Sequence, residues 1–308
     1  MRTPCRLARG LLGACLALSL IACAVKPSAV SPQRIADIVA SPDRSAVDRT
    51  NDLRRKPAQM LAFIGVRPGI SALDVSAGGG YTAELLARAI GSSGIVYGQS
   101  QPRNPERAAP APAAPEGASH PTSAPDMVSM PARASPPRSS VIALAEREKN
   151  LRDAGIAAAP IVAVSRSFND PVPPALAVAQ VDLVTLMFNY HDLGFLGVDR
   201  AQMNRAIFRA LKPGGLYVIA DHAGRPGTGI SESGTLHRID ETFLRSEVEA
   251  VGFRFLAEAN FLRNPADPRD QNTPDPPQPK DEFILKRRTD DLSAMQPPEA
   301  SVALPRKS

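Results

Sequence analysis

The sequence predicts a doubly wound α/β domain, and three observations carry that expectation. From Ser71 onward, short apolar runs alternate with amphipathic helical stretches, as in a parallel sheet built from strand–helix units. The first of these strands runs into three consecutive glycines, LDVSAGGGYTAE over residues 73–84, and then opens a helix. The last two extended runs, FRFLAEANFL and DEFILKRR, are joined by a Pro/Asp-rich loop with no crossover helix, so they should pair antiparallel.

Each element has its own signal. SALDVS is a short buried strand, TAELLARAI an amphipathic helix with Gly91 just beyond it, and GIVYGQ a second strand. Residues 101–139 then break the pattern with ten prolines and no apolar period, which predicts a disordered low-complexity insertion. VIALAEREKNLRDAGI resumes as a helix and PIVAVSRS as the third strand. VDLVTLMFN is almost continuously apolar, as a central parallel strand buried on both faces should be. DRAQMNRAIFRALKPGG follows as a helix, with Asp199 as N-cap and Gly214-Gly215 as its stop. LYVIAD is the fifth strand, and TLHRIDETFLRSEVEAVGF predicts one long helix ending at Gly252.

Ahead of this domain, residues 33–64 read as helical and charged, with a break or a new helix at Pro57. Asp48, Arg49, Asp52, Arg55 and Lys56 fit either a solvated face, the usual fate of such runs, or a lid over a nearby site. The expected organisation is a leader over residues 1–23 and a linker with a helical region over 24–69. A domain over 70–288 carries the insertion, and a polar tail covers 289–308.

The leader sets the expected location. Arg2, Arg6 and Arg9 precede LLGACLALSLIAC, an apolar run too short for a permanent span, which is the pattern of a secretory signal. Its end, Leu20-Ile21-Ala22-Cys23, resembles the lipobox of bacterial lipoproteins, which implies export to the cell envelope or periplasm and membrane attachment through a lipidated Cys23. All three cysteines lie in this leader, so no disulfide is needed downstream. The net charge of +5 includes the three leader arginines, and no dense basic patch or tryptophan marks a nucleic-acid surface.

The glycine loop fits two cofactors. Gly78-Gly79-Gly80-Tyr81-Thr82-Ala83 matches G-x-G-x-x-A, the dinucleotide fingerprint. Starting instead from Asp74, D-V-S-A-G-G-G resembles motif I of the class I S-adenosylmethionine-dependent methyltransferases. Asp74, Gly78 and Gly80 match that motif, and Ser76 stands where a glycine is more usual. LKPGG before the fifth strand, the strand ending VDLVTLMFN and the closing antiparallel pair favour the second reading. NYHD, DHAGRPGTG, TLHRIDE and FLRNPADPRD together look like a group of bacterial predicted methyltransferases without a defined substrate. The resemblance implies a Rossmann-like doubly wound sheet with an antiparallel last strand, the class I methyltransferase fold. It also implies S-adenosyl-L-methionine as cofactor and a small-molecule acceptor.

The resemblance places the cofactor on Asp74, Ser76, Gly78, Gly80, Tyr81 and Asn189, with Phe168 and Asn169 near the adenine. Both cofactor types normally take their ribose on an acid at the end of the second strand; here Gln99 stands there, and its amide oxygen accepts without charge assistance. The catalytic candidates are Tyr190 to position an acceptor, His191 as base with Asp192 orienting it, and His222 after the fifth strand. His191 and Asp192 equally fit a capping role in the next turn. His237 and Arg238 are expected at the start of the following helix, near the same cleft, and Arg263, Asn264 and Asp267 in a loop beside it. No Cys/His/Asp spacing marks a metal site. The alternative to an enzyme is an envelope lipoprotein that keeps the fold as a binding module without turnover.

Overall fold

A computed structural model describes residues 28–102, 139–272 and 280–289. The leader with Cys23, nearly all of the 101–139 insertion and the tail beyond Thr289 lie outside these residues. Among the described residues, seven strands form one sheet: β1 (Ser71–Val75), β2 (Ile95–Ser100), β3 (Ile161–Ser165), β4 (Val181–Met187), β5 (Leu211–His222), β6 (Arg254–Ala259) and β7 (Glu282–Arg288). Their order is β3-β2-β1-β4-β5-β7-β6. The first five are parallel, while β7 runs antiparallel between β5 and β6. The doubly wound sheet with its closing antiparallel pair is therefore present as the sequence predicts. The order reverses between β1 and β4, which pair directly, so the crevice at their carboxyl ends is where such a sheet receives a ligand.

Alternation along the strands divides the core. From β1, Ala72 faces a cluster with Leu85, Leu86 and Ile90, whereas Leu73 and Val75 face a second cluster with Met203, Ile207 and Leu244. The helices on the first face are α1 (Pro32–Ala40), α3 (Pro57–Ile64), α4 (Tyr81–Ile90) and α5 (Ser140–Asp153). Those on the other are the short α6 (Asp192–Phe195), α7 (Arg200–Ala210) and α8 (Glu241–Glu249). Ser139 accepts from Ile142 N and so caps α5 rather than ending the insertion. Asp199 caps α7 as expected, by accepting from Gln202 N. LKPGG belongs to β5 and not to the preceding helix, which ends at Ala210, so Gly214-Gly215 is not the helix stop the sequence suggested. The β4–β5 ladder is irregular between Val181 and Leu183, and regular pairing resumes at Leu216.

Two further sequence expectations are corrected. Thr235–Asp240 is not helical, because Ile239 bridges to Ala223 alongside β5, with Ile239 N donating to His222 O and Gly224 N to Ile239 O. The backbone at His237 takes φ 50°, which a continuous helix forbids, so α8 starts only at Glu241 behind the Asp240 cap. The charged run before Pro57 is not a solvated face either. It forms α2 (Ala46–Arg55), and Asp48 and Arg55 are buried. Arg147 from α5 holds Asp48 through two bonds of 2.7 and 2.8 Å, reaches Glu84 of α4 at 2.5 Å and donates to Gly79 O. Arg44 clamps Asp52 at 2.6 and 2.8 Å. Carboxylates this far from water need such forked partners, since an unpaired buried charge costs several kcal/mol. α2, part of the helical cap that α1–α3 form ahead of β1, is thus tied to the helix that leaves the glycine loop. α3 does begin at Pro57, after Lys56 turns the chain at φ 46°.

Candidate functional site

The β1–α4 loop opens the site. Asp74, at the end of β1, accepts a 2.7 Å bond from Thr185 Oγ1 of β4 and is buried. Ser76, Gly78 and Gly80 all have positive φ, at 60°, 52° and 81°. At Gly80 an added Cβ would lie 2.7 Å from Arg147 Cδ and 2.8 Å from Leu144, so α5 packs onto bare backbone there. At Gly79 an added Cβ would meet nothing within 4 Å, and the loop is open on that side. The four amides of the first turn of a helix have no intrahelical acceptor, so the start of α4 is suited to an anionic group.

From this loop a line of side chains crosses the carboxyl edge of the sheet. Gln99 Oε1 of β2 accepts from Ser76 N at 3.0 Å, and Ser76 Oγ lies 2.8 Å from Asn189 Oδ1 after β4. Asn189 Nδ2 donates to Asp192 Oδ2 at 2.7 Å, Asp192 Oδ1 lies 3.0 Å from His191 Nε2, and His191 Nδ1 lies 2.6 Å from Asp221 Oδ1 at the end of β5. His237 Nδ1 joins at 3.1 Å from Asp192 Oδ1. Asp221, fully buried, also accepts from His191 N at 2.7 Å and His222 N at 2.8 Å. Burial alone would lower the His191 pKa, but the Asp221 carboxylate, helped by Asp192, reverses that and pushes it up to about 9. Burial would raise the Asp192 carboxyl, yet its bonds to His191 and His237 hold it well below the usual carboxylate range.

These contacts revise several expected roles. His191 has both ring nitrogens on carboxylates and is not poised as a free base; Asp221, at least as much as Asp192, orients it. Tyr190 does not face the cleft. Its hydroxyl accepts from Asn204 Nδ2 at 2.9 Å and lies 3.1 Å from Glu247 Oε2, in the core between α7 and α8. Its ring is fully buried, and burial with the nearby Glu247 charge pushes its pKa up.

His222 stacks at 5.2 Å from the His191 ring and 5.7 Å from Phe188. Burial, with the repulsion of charged His191, drives its pKa well below the ordinary histidine value, so it is neutral. Its Nδ1 lies 3.0 Å from Glu282 Oε1 but is not aligned for a hydrogen bond. Tyr81 turns toward the cap, donating to Asp52 at 2.7 Å beneath the Arg55 guanidinium.

At the β2 and β3 ends, Gln99 is fully buried and its amide is already engaged, with Nε2 donating to Arg166 O at 2.7 Å. It staples the glycine loop to the turn after β3 rather than presenting a free acceptor for a ribose. Phe168 is buried in the core, and Asn169 Oδ1 accepts from Asp199 N at 2.8 Å, which spends it on the start of α7. Arg238 is fully buried on Asp267 at 2.8 Å, and Asn264 N donates to Asp281, so these residues anchor the loop.

Arg54 and Arg55 stack on the Phe188 ring at 4.8 and 4.5 Å, closing the cap side of the cleft. The sequence carried no signal for Arg147 at the glycine loop, since its partners lie far away along the chain.

No protein-family model matches the chain, and no curated protein matches its sequence. Solved structures similar to it include an S-adenosylmethionine-dependent methyltransferase from Aquifex aeolicus, 15% identical, covering 84% of this chain and 98% of that one with a TM-score of 0.47. Another is the arsenic(III) S-adenosylmethionine methyltransferase of Chlamydomonas reinhardtii, 16% identical, covering 84% and 74%, TM-score 0.49. A third is a TehB-like methyltransferase from Corynebacterium glutamicum, 14% identical, covering 83% and 95%, TM-score 0.42. The strand order and the antiparallel β7 give the chain a Rossmann-like class I methyltransferase fold.

The placement of Tyr190 carries a prediction. Tyr190→Phe strips Asn204 and Glu247 of a buried partner and should cost about 1–3 kcal/mol of stability in chemical denaturation. Ligand binding at the glycine loop, measured by calorimetry, should be unchanged; weakened binding with unchanged stability would place the hydroxyl in the cleft instead.

Proposed function

We propose that the chain is an S-adenosylmethionine-dependent methyltransferase of a small acceptor. The observation that carries this reading is the open, positive-φ glycine loop joined by side chains to the ends of β4 and β5, at the strand-order switch. The loop suits the cofactor, with open space beside Gly79 and the first-turn amides of α4 on offer. At β2, Gln99 supports the loop from within, so the ribose would be held by other groups.

When bound, S-adenosylmethionine supplies a methyl group on a positively charged sulfonium. The backbone of Ser76–Gly80 and the start of α4 would hold its amino-acid end, Asp74 would fix the loop through Thr185, and Asn189 would keep Ser76 aligned. The acceptor side is bounded by Asp192, His222 and His237, with Arg54 and Arg55 covering Phe188. In-line transfer asks the protein chiefly for positioning and exclusion of water. Asp221 and His191 serve that end by fixing where Asp192 points.

The competing reading, a binding module without turnover, draws on the engaged Gln99 amide. Titration calorimetry of the full chain with S-adenosylmethionine, its demethylated product and NAD separates the alternatives. Micromolar-range binding of the first two and none of NAD is expected, and Gly78→Val, which forces a β-branched residue to φ 52°, should weaken it. Binding of none of the three would defeat the enzyme reading.

We further propose, from the Leu20-Ile21-Ala22-Cys23 ending, that the protein is exported and lipid-anchored at Cys23. Cys23→Ser should move it from the membrane to the soluble fraction on cell fractionation. Unchanged membrane attachment would rule out that anchor.

A further inference from the structure

The structure assigns a divalent metal site to His191, Asp192 and His237, held in place by Asp221 and Asn189. The inference does not rest on the methyl-donor reading, because it concerns the opposite end of the side-chain line and is tested without the donor. One ligand atom from each of the three residues lies within 4.8 Å of the other two. The two measured edges to Asp192 Oδ1 are 3.0 Å from His191 Nε2 and 3.1 Å from His237 Nδ1. Donors about 2.1 Å from one ion and at right angles to each other are about 3.0 Å apart, so these edges suit adjacent positions around an octahedral ion. Two imidazoles and one carboxylate make up a three-ligand donor set that leaves positions open to water or substrate.

The surroundings are those of metal ligands. A ligating imidazole is normally fixed by a carboxylate on its other nitrogen, and Asp221 Oδ1 lies 2.6 Å from His191 Nδ1. The second oxygen of Asp192 is likewise held, by Asn189 Nδ2 at 2.7 Å. His237 is brought in by a backbone at φ 50°, a conformation that costs a non-glycine residue of order 1–3 kcal/mol and that the Ile239 bridge enforces. The site is closed by buried His191 on one side, while the His237 side chain is 41% exposed and leaves an entry path. Without an ion the same arrangement is satisfied by a proton on His191 Nε2 directed at Asp192. Binding replaces that proton with the ion and releases it to solvent. The mixed nitrogen and oxygen donors select a first-row ion in the range from Fe²⁺ to Zn²⁺ over Mg²⁺ or Ca²⁺.

Co²⁺ is a spectroscopic probe of this site. Full-length protein, freed of metal by chelation, should bind one Co²⁺ per chain in equilibrium dialysis, with visible d–d bands that Zn²⁺ displaces. His237→Ala, at a half-exposed position that does not threaten folding, should lose the stoichiometric binding and the bands. Asp221→Asn should keep the bands and weaken binding about 10–100-fold. Circular dichroism of each variant confirms the fold. The absence of stoichiometric Co²⁺ binding by the unmodified chain overturns the assignment, as does binding that is undiminished in folded His237→Ala.

Discussion

The buried carboxylate of Asp221 is the constraint around which the functional edge is organised. With no access to water, it must be met by donors from the protein, and it finds them in His191 N, His191 Nδ1 and His222 N. Those bonds fasten the chain after β4 to the end of β5 and fix the plane of the His191 ring. The other nitrogen of that ring then points at Asp192, whose second oxygen takes Asn189, whose amide oxygen faces Ser76. One desolvated charge in β5 thereby sets the geometry of a loop two strands away. Partners of this kind strengthen one another where the local dielectric is low, so the line is more rigid than its separate bonds suggest.

The glycine loop is held from three sides, and each restraint has a different origin. Gln99 supports it from β2, Asn189 from β4, and Arg147 from α5, where the same guanidinium also neutralises Asp48 of the cap and Glu84 of α4. Gln99 resolves an apparent defect. A neutral amide in place of the usual acid gives up charge assistance to a ribose but satisfies Ser76 N and Arg166 O at once, which a carboxylate without a donor cannot do. The cap helices complete the cleft by laying Arg54 and Arg55 over Phe188, itself held at φ 59°. Strain at Ser76, Phe188 and His237 gathers at the candidate site.

Much of the fold was legible because periodicity reports which residues are buried. The continuous apolar run of β4, the glycine stop at α4 and the Asp199 cap each correspond to a local physical requirement. The site was legible only where its residues sit next to strand ends: Asp74, Ser76, Asn189, His191 and His222 all lie on the edge the sequence pointed to. What periodicity does not carry is pairing across the chain. Arg147 lies 68 residues from Gly79, so nothing in its own surroundings announces that contact, and His237, 45 residues from Asp192, was expected near the cleft but not on that carboxylate. For the same reason Tyr190, inside the suggestive NYHD run, gave no sign that its hydroxyl turns into the core toward Asn204. The helix expected over 235–240 failed because a long-range bridge from Ile239 to Ala223 outweighs local helical preference.

A crystal structure of the full chain with the demethylated cofactor tests the central claim most directly, namely that a pre-formed line of side chains from Gln99 to Asp221 presents the glycine loop to a nucleoside cofactor. The account predicts the ligand on Ser76–Gly80 and the start of α4, with Gln99 still on Ser76 N and Arg166 O and Asn189 still bridging Ser76 and Asp192. A ligand seated elsewhere, or a Gln99 amide swung out of the loop to meet the ribose, would contradict it.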